Sequence, residues 1–361
     1  MCLASFINWY QSALARFTLN GNKTVQYCGF IPIWLGDFAF GFFNKFDVTV
    51  PSATSRIDRI ILQAREQAEK SGIPNEGKLA IVTGANCGIG FETAKAIGRA
   101  GYTTILACRN PELAKEAVEL LERQTGLVGR FKFMQLDLSS IESVDKFVGD
   151  IRAREGPIDL LVNNAGVMAC PLSRTKDGIE LQFGTNHVGH FVLTMGLLDQ
   201  LKQAQGGARI VVVSSIAASL QRKIDYGLVE QEHRYKKWEN YGAVKLANLL
   251  FANALARKLQ GTNVTVNSLH PGTVATNLMR HVGGASWLHS IGQKTIFDSV
   301  ATGSITSVYV ALAPELASET GKFYAHGLLR DMHPDGDCIE AQDELWAYTE
   351  KLVANIRAKR H

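Results

Sequence analysis

Leu79-Ala80-Ile81-Val82-Thr83-Gly84-Ala85-Asn86-Cys87-Gly88-Ile89-Gly90 decides the fold of this chain. Four apolar residues run unbroken into a glycine-rich turn, and a helical stretch follows to about Ala100. A short strand without polar alternation is buried on both faces, as in a parallel sheet. The glycines let the backbone turn sharply and approach a pyrophosphate, while the helix start aims its N–H groups and positive dipole end at the phosphates. The stretch therefore predicts a dinucleotide cradle, with Gly84, Asn86, Gly88, Ile89 and Gly90 as cofactor contacts.

Outward from this unit, strands and helices alternate. Thr103–Cys108, Phe131–Leu136, Asp159–Val162, Ile210–Ser214 and Val264–Leu269 read as further apolar strands, with helices between them. One of these helices is capped by Asn110 with Pro111 at its first position. The expected fold class is α/β, a doubly wound parallel sheet (Rossmann fold) over residues 76–361. There is no internal repeat.

Residues 1–75 differ in character. Val25 to Phe46 is rich in aromatic and aliphatic residues but is interrupted by Pro32 and Asp37, whereas a bilayer span needs about 20 mainly apolar residues. A kinked membrane segment, an interfacial hairpin and an arm packed on the protein body all fit. No basic n-region precedes an uninterrupted apolar core, so a secretory leader is not expected. Lys45, Arg56, Arg59 and Arg65 follow the segment and favour a cytosolic catalytic domain. Arg56 to Lys70 then reads as an amphipathic helix, with Ile57, Ile60, Ile61, Ala64 and Ala68 on one face and Ser71-Gly72 as its stop.

The chain has 361 residues, 46% of them hydrophobic, and a net charge of +4 without a basic run, which argues against nucleic acid. Six cysteines form no CxxC pair and read as reduced thiols. His187 and His190 are three apart with no third ligand in a suitable pattern, so no metal is expected and both are read as packed within a helix.

The catalytic residues stand downstream. Tyr241 and Lys245 are four apart and neighbours on one helix face. A nearby ammonium and the positive ring of an oxidised nicotinamide are expected to lower the phenol's pKa into the working range. Lys245 can also hold the nicotinamide ribose. Ser215 can donate to the substrate oxygen, and Asn186 is placed to hold a water that returns protons toward Lys245. At the end of the second strand, Arg109 stands where an acid would select NAD(H), and its guanidinium can fork onto a ribose 2′-phosphate, favouring NADP(H). Asp137-Leu138 suits the adenine edge, and Asn164, Ala165 and Gly166 face the adenosine side.

TGANCGIG, NNAG, the Asn of TNHVGHF, Ser215, YGAVK and the turn Pro271-Gly272-Thr273-Val274-Ala275-Thr276 together resemble the short-chain dehydrogenase/reductase family over about residues 76–350. NNAGVMACP, ELQFGTNHVGHF, KLANLLF and NSLHPGTVATNL look most like its group of retinol dehydrogenases, the WW-domain oxidoreductase and the chloroplast short-chain dehydrogenase. The resemblance implies Ser215, Tyr241 and Lys245 as a catalytic triad with Asn186 as fourth member. It implies cofactor contacts from Tyr241, Lys245, Pro271, Gly272, Val274 and Thr276, with Thr276 beside the carboxamide. Val244 departs from the serine common before the lysine. The family also implies the endoplasmic reticulum membrane, with a soluble cytoplasmic protein or another organelle membrane as alternatives, and leaves a homodimer open.

Leu278, Met279, Val282, Trp287, Leu288, Ile291, Ile296 and Phe297 read as an apolar lid beside the nicotinamide. A lipophilic alcohol or carbonyl compound (retinoid, steroid, prenol or fatty aldehyde) is the expected substrate of an NADP(H)-dependent oxidoreductase. A cofactor-binding interaction protein with little turnover and a C=C reductase are the alternatives.

Overall fold

In the computed structural model, residues 51–272, 274, 299–330 and 333–360 are described. The aromatic stretch Val25–Phe46, Thr276 and the lid residues lie outside them.

The strands are β1 (Leu79–Thr83), β2 (Thr103–Cys108), β3 (Phe131–Gln135), β4 (Leu160–Asn163), β5 (Ala208–Val213), β6 (Val264–His270), β7 (Phe323–Ala325) and β8 (Leu328–Arg330). They form one sheet in the order β3-β2-β1-β4-β5-β6-β7-β8. The pairs from β3 to β7 are parallel, and β8 closes the edge antiparallel to β7. The strand order reverses between β1 and β4. At such a switch point the loops leaving neighbouring strands diverge to opposite faces and open a crevice at the carboxyl ends.

The helices are α1 (Ala53–Ser71), α2 (Gly88–Arg99), α3 (Pro111–Thr125), α4 (Ile141–Arg152), α5 (Gly189–Lys202), α6 (Lys237–Lys258), α7 (Val300–Leu312) and α8 (Ile339–Ala358). One core fills the sheet face covered by α4, α5, α6 and α8; the other lies under α1, α2, α3 and α7. β1 and β4 are buried through Val82 and Asn163, as their unbroken apolar runs require. Asn110 caps α3 and Pro111 opens it, as its sequence signals demand.

Ser52 caps α1 by accepting from the amide of Ser55 at 3.1 Å, and Gly72 ends it with φ 69°. Ile57, Ile60, Ile61, Ala64 and Ala68 are its buried face, packed on α7 and α2. The amphipathic helix that the sequence places in the 1–75 unit thus shares the core of the catalytic unit. Among the described residues, no helix is long and apolar enough to cross a membrane.

Candidate active site

The glycine turn joins β1 to α2. Cys87, the residue before α2, makes no side-chain cap bond, so the first-turn amides of this helix are not taken by a cap of its own. A Cβ added at Gly90 would lie 2.4 Å from Asn164 Nδ2 and 2.5 Å from Gly84 O. Only glycine permits the helix to start this close to the loop. Asn164 Nδ2 donates to Thr83 O at 2.8 Å, and Thr83 Oγ1 accepts from the amides of Asn164 and Ala165, both at 2.9 Å. The glycine turn and the Asn164-Ala165-Gly166 loop are therefore one braced unit. The residues fit a dinucleotide cradle: open helix amides, the glycines Gly84, Gly88 and Gly90, and no acid at the end of β2.

Arg109 follows β2 and is exposed at the crevice side of the strand. Asp137 accepts from the hydroxyl and the amide of Ser139 and faces Lys176 at 3.4 Å, and these bonds hold its carboxyl below the usual range although burial opposes them. Leu138 is buried beside it. Cys87 is exposed on the glycine turn, whereas Cys108 at the end of β2 is buried and pushed up to about 11 by that burial.

α6 carries Tyr241 and Lys245, and from Asn240 to Ala256 it is buried on every side. Gly242 allows its close approach to the turn Ile216–Leu220, because a Cβ there would sit 2.8 Å from Ala217 O. That contact brings Ser215 to Tyr241. Ser215 Oγ accepts from the amide of Ala217 at 3.1 Å, which leaves its proton for the Tyr241 phenol, and the two side chains are hydrogen-bonded. Lys245 Nζ lies 5.6 Å from the Tyr241 ring centroid and donates to Val213 O at 3.0 Å. Asn248 donates to the same carbonyl at 3.3 Å, and Ser214 Oγ donates to Lys245 O at 2.7 Å. These bonds lock α6 to the end of β5.

Burial dominates the electrostatics of this pair in the protein alone. Burial lifts the Tyr241 phenol above its ordinary value, and the Ser215 hydrogen bond opposes this. Burial also brings the Lys245 ammonium down to about 8. In the protein's own field desolvation sets the direction for both groups.

Asn186 is fully buried. It lies in a π-helical turn, Gly184–Val188, at the head of α5. Its side chain accepts from the amide of Val167 and donates to Val167 O, each at 2.8 Å. The carboxamide therefore fastens the loop after β4. His187 and His190 are buried as expected, His187 Nε2 lying 3.0 Å from Thr349 Oγ1. Among the described residues no group of side chains could hold a metal ion. Pro271, Gly272 (φ 90°) and Val274 continue from β6 over the carboxyl edge of the sheet.

Gln182 and Tyr235 were not foreseen from the sequence. Gln182 is fully buried, accepts from the amide of Ala169 at 2.9 Å and donates to Tyr235 Oη and Lys237 O, each at 3.0 Å. Tyr235 Oη donates to Cys170 O at 2.6 Å. Two side chains thus clamp the loop after β4, the loop after Ser215 and the start of α6. A polar residue flanked by Leu181 and Phe183 was the available signal.

The sequence profile described as short chain dehydrogenase matches residues 78–285. Short-chain dehydrogenase TIC 32 A, chloroplastic, from Brassica napus is 41% identical over 287 residues, 77% of this chain and 89% of that protein. Retinol dehydrogenase 13 from Homo sapiens is 41% identical over 290 residues, 79% and 86%. Among solved structures, an uncharacterised protein from Mycobacterium paratuberculosis superposes with a TM-score of 0.61 at 30% identity, covering 77% of this chain and 93% of that one. A short chain dehydrogenase from Escherichia coli CFT073, complexed with NADPH, shares the fold at a TM-score of 0.54 and 24% identity, over 70% and 97%. The profile match spans more than half of the chain and includes the glycine turn, Ser215, Tyr241 and Lys245, so the chain belongs to the short-chain dehydrogenase/reductase family.

Proposed function

We propose that the protein is an NADP(H)-dependent oxidoreductase that moves a hydride between nicotinamide and the carbonyl or alcohol carbon of a lipophilic substrate. The observation that carries this reading is the buried Tyr241 phenol, hydrogen-bonded to Ser215, with the Lys245 ammonium 5.6 Å from its ring centroid. Gly84, Asn86, Gly88, Ile89 and Gly90 would hold the pyrophosphate, Arg109 the 2′-phosphate, and Asp137, Leu138, Asn164, Ala165 and Gly166 the adenosine side. Pro271, Gly272, Val274 and Thr276 would line the nicotinamide. The bound cofactor supplies or takes the hydride.

Tyr241 carries the matching proton. In reduction its raised phenol gives a proton to the substrate oxygen as the carbonyl carbon gains the hydride. In oxidation the phenolate takes the hydroxyl proton as that carbon loses the hydride. Ser215 donates to the same oxygen and shares its developing charge. Lys245 lies close enough to stabilise phenolate, and the positive charge of oxidised nicotinamide adds to it. Names such as retinol dehydrogenase among the relatives support a lipophilic substrate, as does the apolar sequence from Leu278 to Phe297. The aromatic stretch Val25–Phe46 supports attachment to a membrane.

Tyr241→Phe tests the chemistry. It should lower turnover of a lipophilic aldehyde with NADPH by about 100-fold or more while cofactor binding stays near normal. Retention of most activity would sink the assignment. A wild-type protein that binds NADPH but turns over no member of an aldehyde and alcohol panel would point to a binding role, and a saturated C–C product would point to C=C reduction.

A further inference from the structure

His190 is the second residue of α5, 3% exposed and one turn beyond Asn186. Its two ring nitrogens join parts of the site that are far apart in sequence. Nδ1 lies 2.9 Å from Asn186 O, and Nε2 lies 2.9 Å from Thr83 Oγ1. A carbonyl oxygen can only accept, so Nδ1 carries the proton and Nε2 offers its lone pair. The Thr83 hydroxyl must then donate to Nε2, since its oxygen already accepts the amides of Asn164 and Ala165. The alternative acceptor, Val162 O, is more distant at 3.3 Å. Every polar atom in this hydrogen-bonded run is satisfied, but only with a neutral imidazole. Burial, aided by the charge of Lys245, holds His190 down to about 4, and its other titratable neighbour is His187 in the π turn.

The π turn packs directly against α6, the helix of Tyr241 and Lys245. The Asn186 side chain is closed on Val167, and its carbonyl is held by the His190 imidazole, which sets that carbonyl's direction. π turns are rare and concentrate at functional sites, where one displaced residue re-aims a backbone group. We infer that His190 is a positioning residue for proton transfer: through Nδ1 it holds the Asn186 carbonyl and the π turn against α6, and so sets where the Lys245 ammonium stands relative to the Tyr241 phenol. This rests on the reading of Tyr241 and Lys245 as the proton-transfer pair.

The test compares His190→Asn, His190→Gln and His190→Phe in the full chain. The asparagine amide nitrogen can stand where Nδ1 does and keep the Asn186 bond. The glutamine amide reaches the Nε2 position and meets Thr83 instead. Phenylalanine fills the space and makes neither bond. Rates are read in both directions with NADP(H) and the best substrate of a retinal, farnesal and decanal series with their alcohols. His190→Phe and His190→Gln should lose about tenfold or more in kcat with little change in KM for cofactor, and His190→Asn should recover most of that loss. Alcohol oxidation requires phenolate, so in the Phe and Gln variants its rise with pH should move to higher pH, because a misplaced ammonium stabilises phenolate less. The histidine 15N spectrum of the wild type, assigned by the signal missing from His190→Asn, should show a neutral ring protonated on Nδ1.

His190→Gln matching His190→Asn, an Nε2–H tautomer, or rate losses that follow the thermal midpoint with an unmoved pH profile would each overturn the inference. If His190→Phe does not fold, the Asn and Gln pair still decides. Tyr241→Phe run alongside separates the two readings. Its retained activity refutes the proposed chemistry, while its inactivity beside indifferent His190 variants refutes the role of His190 alone.

Discussion

Gly90→Ala puts the cradle to a quantitative test. The added methyl would stand 2.4 Å from Asn164 Nδ2, 2.5 Å from Gly84 O and 3.1 Å from Gly84 C. Carbon-to-oxygen contacts settle at about 3.3–3.6 Å, so two neighbours must each retreat by about 1 Å. The Asn164 amide is anchored on Thr83 O, and the Gly84 carbonyl is main chain, so neither can swing aside alone. Overpacking of this kind costs about 1–3 kcal/mol. The strain falls on the turn that would hold the pyrophosphate, so the NADPH dissociation constant should rise about 5- to 150-fold. Gly149→Ala is the control. It lies inside α4, its Cβ would meet nothing within 4 Å, and alanine improves the helix by up to about 1 kcal/mol. Calorimetric titration with NADPH and thermal unfolding on the same samples separate the cases. The control should melt higher with unchanged affinity. Gly90→Ala binding NADPH as tightly as the wild type would refute the argument that the contact between α2 and Gly84 shapes a phosphate cradle.

Further outcomes follow from the same geometry. Arg109→Ala should weaken NADPH binding by about 10- to 100-fold and leave NADH binding nearly unchanged; equal losses for both would show that Arg109 is no phosphate ligand. Burial holds His187 down to about 3 and His190 to about 4, whereas the unfolded chain takes up these protons near 6.5. Unfolded chains therefore bind more protons below 6.5, and each histidine should remove about 2 kcal/mol of stability by pH 5. Urea midpoints at pH 7 and pH 5 check this, and His187→Gln should show the smaller fall; an equal fall would refute it. Carbonate extraction should leave the full chain on membranes and detergent should release it, whereas a chain beginning at Pro51, which keeps the Ser52 cap and α1, should be soluble without either; a full chain as soluble as the truncation would sink the membrane reading.

The central strands were legible because each is buried on both faces and so reads as an unbroken apolar run. β1 and β4 carry that mark most fully, whereas β3, the edge strand, alternates and is half exposed. Strand ends are displaced by a residue or two where pairing, not composition, sets the limit: Ser214 ends the apolar run but lies just beyond β5. β7 and β8 were not legible. Each has three residues, and β8 is an edge strand with Leu328 and Leu329 exposed, so no hydrophobic pattern marks it. α1 was legible to the residue on its buried face, because a helix lying on a surface must show a stripe. α6 shows no stripe, being buried all round, and was placed through Tyr241 and Lys245 instead.

The residue types of the candidate site were legible, but its wiring was not. Tyr241, Lys245 and Ser215 come together because Gly242 lets α6 meet the turn after Ser215, and a glycine inside a helical stretch does not announce its partner. The π turn at Asn186 depends on a carboxamide reaching Val167, a tertiary contact that no local propensity encodes. Protonation was the least legible property. Spacing places an ammonium beside a phenol, and in water that pairing alone would favour phenolate. Inside the protein, burial raises the phenol and lowers the amine, so both neutral forms gain. Under the proposed mechanism this bias has a use. With a neutral reduced nicotinamide the phenol keeps its proton and serves as an acid; with a positively charged oxidised ring the added field favours phenolate and a base. One residue can then serve both directions, with the cofactor's charge selecting its role.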